Sequence, residues 1–183
     1  MGLFRKSPLE PLAVTMAGVK LGQRVLGVGT RDPKLIAQLA VKAGLTGRAC
    51  LVDADESSLA KAASAIEQEG ALIEAARAPY GMWPYEADSF DVAVIPDLLP
   101  SLTPDVRVRC IEDVRRVLRP GGRVVVIERA ARGGIAGILG GARATGGAGY
   151  PGPVDTLRDN GFAAVRLLAE TDGVSYAEGI KKA

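Results

Sequence analysis

Two hydrophobic rhythms alternate along this chain. Short, nearly continuous apolar runs predict strands covered on both faces, and between them lie longer stretches with helical spacing of apolar residues. Gln23–Gly29 (QRVLGVG) reads as a first strand. Pro33–Ala43 reads as a helix with Asp32 as N-cap, Pro33 at its first position and Gly44 just past its end. Leu35, Ile36, Leu39, Ala40 and Ala43 form its apolar face. Arg48–Asp53 (RACLVD) is a second strand, followed by a helix from about Glu56, capped by Asp55 and stopped by Gly70.

The alternation continues with a third strand at Ala71–Ala75 and a buried fourth at Asp91–Ile95 (DVAVI). Thr103 and Pro104 open a helix whose Ile111, Val114 and Leu118 face inward and which Pro120, Gly121 and Gly122 end. Arg123–Glu128 (RVVVIE) is a fifth strand, and a helix from about Pro11 to Gly18 is expected beside the first. Right-handed crossovers between such units give an α/β fold with a doubly wound, mostly parallel sheet. The pattern then changes: Phe162–Ala169 and Val174–Ile180 are strand-like runs joined around Asp172 and Gly173, a hairpin. Between the two patterns, residues 131–153 hold nine glycines in 23 residues, which suits a lid or an open loop. Ile135, Ile138 and Leu139 are its apolar members.

At 183 residues the chain suits one domain, and its 48% apolar and 24% charged residues are those of an ordinary globular protein. The formal net charge of +2 gives no electrostatic case for a nucleic-acid partner. Arg115, Arg116, Arg119 and Arg123 are read as complementing a helix dipole rather than as a phosphate site. Cys50 and Cys110 sit in apolar runs and are read as packed free thiols. The chain has no histidine, which removes the usual triads, the usual zinc sites and the commonest general base. With no apolar run of membrane-spanning length and no basic-then-apolar start, the expectation is a cytoplasmic, bacterial-type enzyme, its oligomeric state open, a dimer included.

In a sheet of this kind ligands bind beyond the carboxyl ends of the strands, where strand order reverses. Three segments end there. Gly27-Val28-Gly29-Thr30-Arg31-Asp32 lets a ligand approach the backbone or is simply a tight strand-to-helix turn. Asp53 ends the second strand and suits a pair of ribose hydroxyls, helix capping falling to Asp55 and dipole pairing to Glu56. Pro96-Asp97-Leu98-Leu99-Pro100 contributes one carboxylate, Asp97, either solvated or a candidate base. Tyr80, Trp83, Tyr85 and Tyr150 are candidate pocket walls or plain packing.

The segments GQRVLGVG, LVDADESSLAKA, WPYEADSFDVAVI and VRRVLRPGGRVVVIE, in this order and spacing, resemble the class I S-adenosylmethionine-dependent methyltransferases, in the branch of ubiquinone/menaquinone-biosynthesis C-methyltransferases. The resemblance implies a Rossmann-like, seven-stranded sheet with a reversed last pair, S-adenosylmethionine as cofactor and a small-molecule methyl acceptor. It implies a cofactor crevice formed by Gly27, Val28, Gly29, Thr30, Arg31, Asp53, Ala54, Ala78 and Pro96. The family usually places an acidic residue where Gly27 stands, and glycines where Arg31 and Pro33 stand. It offers an adenine-binding Asp in the loop where this chain has Arg77, Ala78 and Pro79. Lowered cofactor affinity is therefore expected; alternatively Arg31 swings outward, or reaches Asp53 or Asp55 and fills the empty pocket, as in a catalytically dead relative. Two other functions fit the same residues. One is a non-catalytic relative that binds a partner or another nucleotide. The other is a nicotinamide-dependent oxidoreductase, for which Gly27, Gly29 and Asp53 fit a fingerprint that wants a third glycine at Asp32.

Overall fold

The computed structural model describes residues 11–130 and 149–182. Seven strands, β1 (Arg24–Val28), β2 (Arg48–Asp53), β3 (Glu74–Arg77), β4 (Phe90–Pro96), β5 (Leu118–Arg129), β6 (Ala163–Thr171) and β7 (Val174–Ile180), form one sheet. Its order is β3-β2-β1-β4-β5-β7-β6. The first five strands pair in parallel, and β7 runs antiparallel between β5 and β6. The α/β, mostly parallel sheet with a reversed C-terminal pair is thus as expected, and strand order reverses between β1 and β4.

Helices α1 (Leu12–Ala17), α2 (Pro33–Ala43) and α3 (Glu56–Gln68) cover one face, and α4 (Pro104–Val117) and α5 (Pro153–Asp159) the other. Local chemistry explains where they start. The Asp32 side chain accepts a hydrogen bond from the Leu35 N–H at 3.0 Å, and Asp55 accepts one from the Ser58 N–H at 3.1 Å. The predicted apolar face of α2 is buried to the last residue. Alternate residues of β5 feed opposite cores: Val125 and Ile127 face α2, whereas Val124 and Val126 face α4. At the hairpin, Asp172 (φ 52°) and Gly173 (φ 72°) both have positive φ, the conformation of a tight two-residue turn between twisted strands.

Several expected boundaries move. The third strand lies at Glu74–Arg77 rather than Ala71–Ala75, because register with Cys50–Asp53 of β2 fixes it and its own largely exposed residues carry no pattern. Helix α4 ends at Val117, not at the Pro120-Gly121-Gly122 stop. Leu118 already pairs with Phe90, so it is buried as a strand residue and the proline and glycines fall inside β5. Pro153 opens α5, a short helix within which only Pro153, Thr156 and Leu157 are buried. The rest of the expected lid, residues 131–148, lies outside the described residues, as do residues 1–10 of the N-terminal segment.

Three arginines of the cluster are tied into the fold. Arg116 ties Asp113 to the Trp83 and Tyr85 carbonyls. Arg119 holds Asp91, and Arg123 joins Glu178 to the carbonyl oxygens of Met16 and Ala17. Arg119 and Arg123 belong to β5, so only Arg115 and Arg116 stand in the last turn of the helix. Cys50 and Cys110 are buried and free.

Candidate functional site

The crevice lies where β1, β2, β4 and β5 end. Beyond β1, Gly29 takes a left-handed conformation (φ 84°), and a Cβ there would stand 3.2 Å from the Leu98 side chain. Only glycine fits that turn without strain, and the backbone N–H of Gly29 still reaches the Val52 carbonyl at 2.9 Å. Val28 is buried with its side chain toward α4. At Gly27 the situation differs. An ideal Cβ would lie 2.7 Å from Ile36 Cδ1 and 3.2 Å from Leu51 Cδ1. The space an acidic side chain would need here is occupied by hydrocarbon from α2 and β2.

Asp53 ends β2 and is 8% exposed. One carboxylate oxygen accepts the Asp55 N–H at 2.9 Å and the other the Thr30 hydroxyl at 3.2 Å. Each oxygen keeps a lone pair, and the two hydrogen bonds fix the carboxylate between the loops after β1 and β2. Ala54 follows in the turn to α3. Ala78 is buried and its N–H donates to the Asp53 carbonyl at 3.0 Å, which places Arg77-Ala78-Pro79 beside the same crevice. Burial, and then the Asp53 carboxylate, push the Tyr80 hydroxyl above the usual phenol range, against an opposing pull from Arg31. Tyr80, Asp53 and Arg31 therefore share one field. Arg31 is exposed, and among the described residues no ion pair joins it to Asp53 or Asp55.

At the end of β4, Pro96 is buried and Asp97 adopts a positive φ of 49°. Both oxygens of Asp97 are taken by one residue: Oδ1 accepts the Arg129 backbone N–H at 2.6 Å, and Oδ2 pairs with the Arg129 guanidinium. The same guanidinium reaches Asp32 Oδ2 at 3.3 Å. An Asp32–Arg129–Asp97 bridge thus spans the mouth of the crevice from the β1–α2 turn to the ends of β4 and β5.

On the opposite face of β5 sits Glu128, fully buried. Its Oε1 accepts the Tyr150 hydroxyl, and its Oε2 has no hydrogen-bond partner among the described residues. Burial pushes its pKa up to about 7, a rise that Tyr150 and Arg107 oppose and Asp97 reinforces. Arg107, itself buried in α4, donates to the Leu99 and Leu102 carbonyls and lies 4.4 Å from the centre of the Tyr150 ring. Trp83, Tyr85 and Tyr80 pack in the core under α4, with Tyr85 edge-on to Phe90 at 5.1 Å.

The structure places Gly29, Thr30, Asp53, Ala78, Pro96 and Asp97 at or just beyond the carboxyl ends of β1, β2, β3 and β4, with Thr30 and Ala78 hydrogen-bonded to Asp53. Sequence reasoning missed Arg129, Glu128 and Arg107. The signal for Glu128 was present, since it ends an apolar strand as Asp53 does. Arg129 and Arg107 carry no local sign of their partners.

A family model for a methyltransferase domain matches residues 25–122. The ubiquinone/menaquinone biosynthesis C-methyltransferase of Cupriavidus taiwanensis is 29% identical over 115 residues, covering 63% of this chain and 46% of the relative. Its counterpart in Ralstonia pickettii is 30% identical over the same shares. The chain spans just under half the length of these curated relatives. Among solved structures, a SAM-dependent methyltransferase from Aquifex aeolicus superposes with a TM-score of 0.74 at 18% identity, covering 93% of this chain and 88% of that one. A putative methyltransferase from Haloferax volcanii, in complex with the Trm112 activator, gives 0.68 at 15% identity, covering 94% and 88%.

Proposed function

Because the chain belongs to the class I S-adenosylmethionine-dependent methyltransferase family, we propose that it binds S-adenosylmethionine in the β1–β2–β4 crevice and methylates a small molecule. The observation that carries this reading is Asp53, oriented by Thr30 and Asp55 at the end of β2 with a lone pair free on each oxygen. That carboxylate would accept the two ribose hydroxyls. Gly29 would let the ligand approach the backbone, with Ala78 and Pro96 as flanking walls. The Asp32–Arg129–Asp97 bridge suits an amino-acid end: the guanidinium for a carboxylate, an aspartate for an ammonium group. It would supply the negative charge that Gly27 lacks.

When bound, S-adenosylmethionine supplies an electrophilic methyl group on a sulfonium. The chain's part is to hold the acceptor in line and exclude water. We place this activity in a single domain in the cytoplasm. The two free thiols suit a reducing compartment, and among the described residues no helix is long and apolar enough to cross a membrane. One observation favours a second reading, a non-catalytic relative: Ile36 fills the space beside Gly27.

Calorimetric titration of wild type and Asp53→Ala with S-adenosylhomocysteine checks the site. Loss of the ribose contact is expected to weaken binding at least 30-fold with the circular dichroism spectrum unchanged, since two hydrogen bonds to a charged acceptor contribute roughly 2 kcal/mol or more. Equal affinities would move the ribose away from Asp53.

A further inference from the structure

Two carboxylates lie near the carboxyl ends of β4 and β5, Asp97 beyond β4 and the buried Glu128 in β5, and they are not equivalent. Asp97 has both oxygens committed to Arg129. Glu128 has one oxygen on the Tyr150 hydroxyl and the other without a donor among the described residues. A buried carboxylate left half-satisfied is costly, and burial raises the proton affinity of Glu128. With no histidine in the chain, few other groups can take a proton near neutral pH.

We propose that Tyr150 and Glu128 form the proton-accepting pair for a methyl acceptor that arrives as an un-ionised hydroxyl, Tyr150 touching the acceptor and Glu128 taking the proton behind it. The proposal rests on the methyltransferase reading above. Tyr150 is half-buried and held from two sides, by its bond to Glu128 and by the Arg107 guanidinium against its ring, so its hydroxyl has a fixed position. In the transfer, the acceptor oxygen closes on the methyl carbon while the carbon–sulfur bond breaks and leaves its electron pair on sulfur. The acceptor's proton passes to Tyr150 Oη as the hydroxyl proton of Tyr150 moves to Glu128 Oε1. The proton later returns to water by the reverse relay, from Glu128 Oε1 through Tyr150 Oη, once the methylated product has left. Tyr150 is the contact group and Glu128 the positioning and proton-storing residue.

The groups facing Glu128 are Tyr150 from the segment before α5, Arg107 from α4 and Asp97 from beyond β4. Burial is the largest influence on its proton affinity, followed by Tyr150, Asp97 and Arg107, with a net midpoint of about 7. The pair is competent only when Glu128 is ionised, so transfer is expected to rise with pH through that value.

The test has two arms on the full chain. In the first, carbon NMR of labelled glutamate follows the Glu128 carboxyl, identified by its loss in Glu128→Gln. A midpoint near 7 that moves higher in Tyr150→Phe is expected; a midpoint in the ordinary carboxylate range, or one indifferent to Tyr150→Phe, overturns the pairing. In the second, transfer from S-adenosylmethionine to phenol is followed as S-adenosylhomocysteine release. Glu128→Gln and Tyr150→Phe are expected to lower kcat at least 100-fold, with KM for S-adenosylmethionine within threefold, and Glu128→Gln to abolish the acid limb. Unchanged rates, a wild-type profile without that limb, or no transfer to phenol by the wild type overturns the proposal. Failure of S-adenosylhomocysteine to bind would instead sink the cofactor reading, while the first arm still reports on the pair.

Discussion

Gly27→Asp, which restores the acidic residue that the family usually carries, is expected to destabilise this chain rather than improve it. The new Cβ would stand 2.7 Å from Ile36 Cδ1 and 3.2 Å from both Ile36 Cγ1 and Leu51 Cδ1. Ile36 and Leu51 are 3% and 0% exposed, so admitting the new side chain requires the core around them to repack. Overpacking of this kind costs about 1–3 kcal/mol, and a carboxylate forced among hydrocarbon adds a comparable or larger penalty. A loss of roughly 4 kcal/mol is a large share of the stability of an ordinary domain. Ile36→Ala in the same chain would make room for the carboxylate, so the double variant should lose less than the two single losses combined. Urea denaturation of the four proteins measures this; a Gly27→Asp protein within about 1 kcal/mol of wild type would show that the space is not filled as described.

The second large effect concerns pH. Glu128 has a midpoint of about 7 in the folded chain against 4.5 for a free glutamate. Between those values the folded state holds a proton that the unfolded state has released, so stability falls as pH rises through this window and levels off above 7. Glu128→Gln removes the titration while keeping an oxygen to accept the Tyr150 hydroxyl. The wild type should therefore lose roughly 3 kcal/mol relative to the variant between pH 4 and pH 8. Urea midpoints at the two pH values decide it, and parallel wild-type and variant profiles would contradict the burial-driven shift.

What could be read from the sequence follows from how local each determinant is. Asp32 with Pro33 starts α2 and Gly44 ends it, each acting on its own end of the helix, and Asp172-Gly173 sets the hairpin by its own backbone conformation. The position of Asp53 was legible because it closes an apolar strand run, and its carboxylate ties the loops after β1 and β2 together. The register of β3 was not, since the pairing with β2 sets it and its own side chains are mostly exposed. Neither was the Asp32–Arg129 pair, whose members are 97 positions apart in the chain. The departure at Gly27 was visible as a missing acid, but its consequence needed the position of Ile36, which helical periodicity places only on the inward face of α2. Arg31 likewise had two open choices in the sequence, and the chain leaves it exposed without an ion pair to Asp53 or Asp55 among the described residues.

On the proposed reading the crevice takes S-adenosylmethionine despite Gly27, Arg31 and Pro33, with Asp53 for its ribose and the Asp32–Arg129–Asp97 bridge for its amino-acid end. Parallel calorimetric titrations of the wild-type chain with S-adenosylhomocysteine, 5′-methylthioadenosine and NAD decide it. Saturable binding of S-adenosylhomocysteine, weaker binding of methylthioadenosine, which lacks the amino-acid end, and no heat from NAD is the expected result. No binding of S-adenosylhomocysteine at millimolar concentration, or NAD binding as tightly, would contradict it.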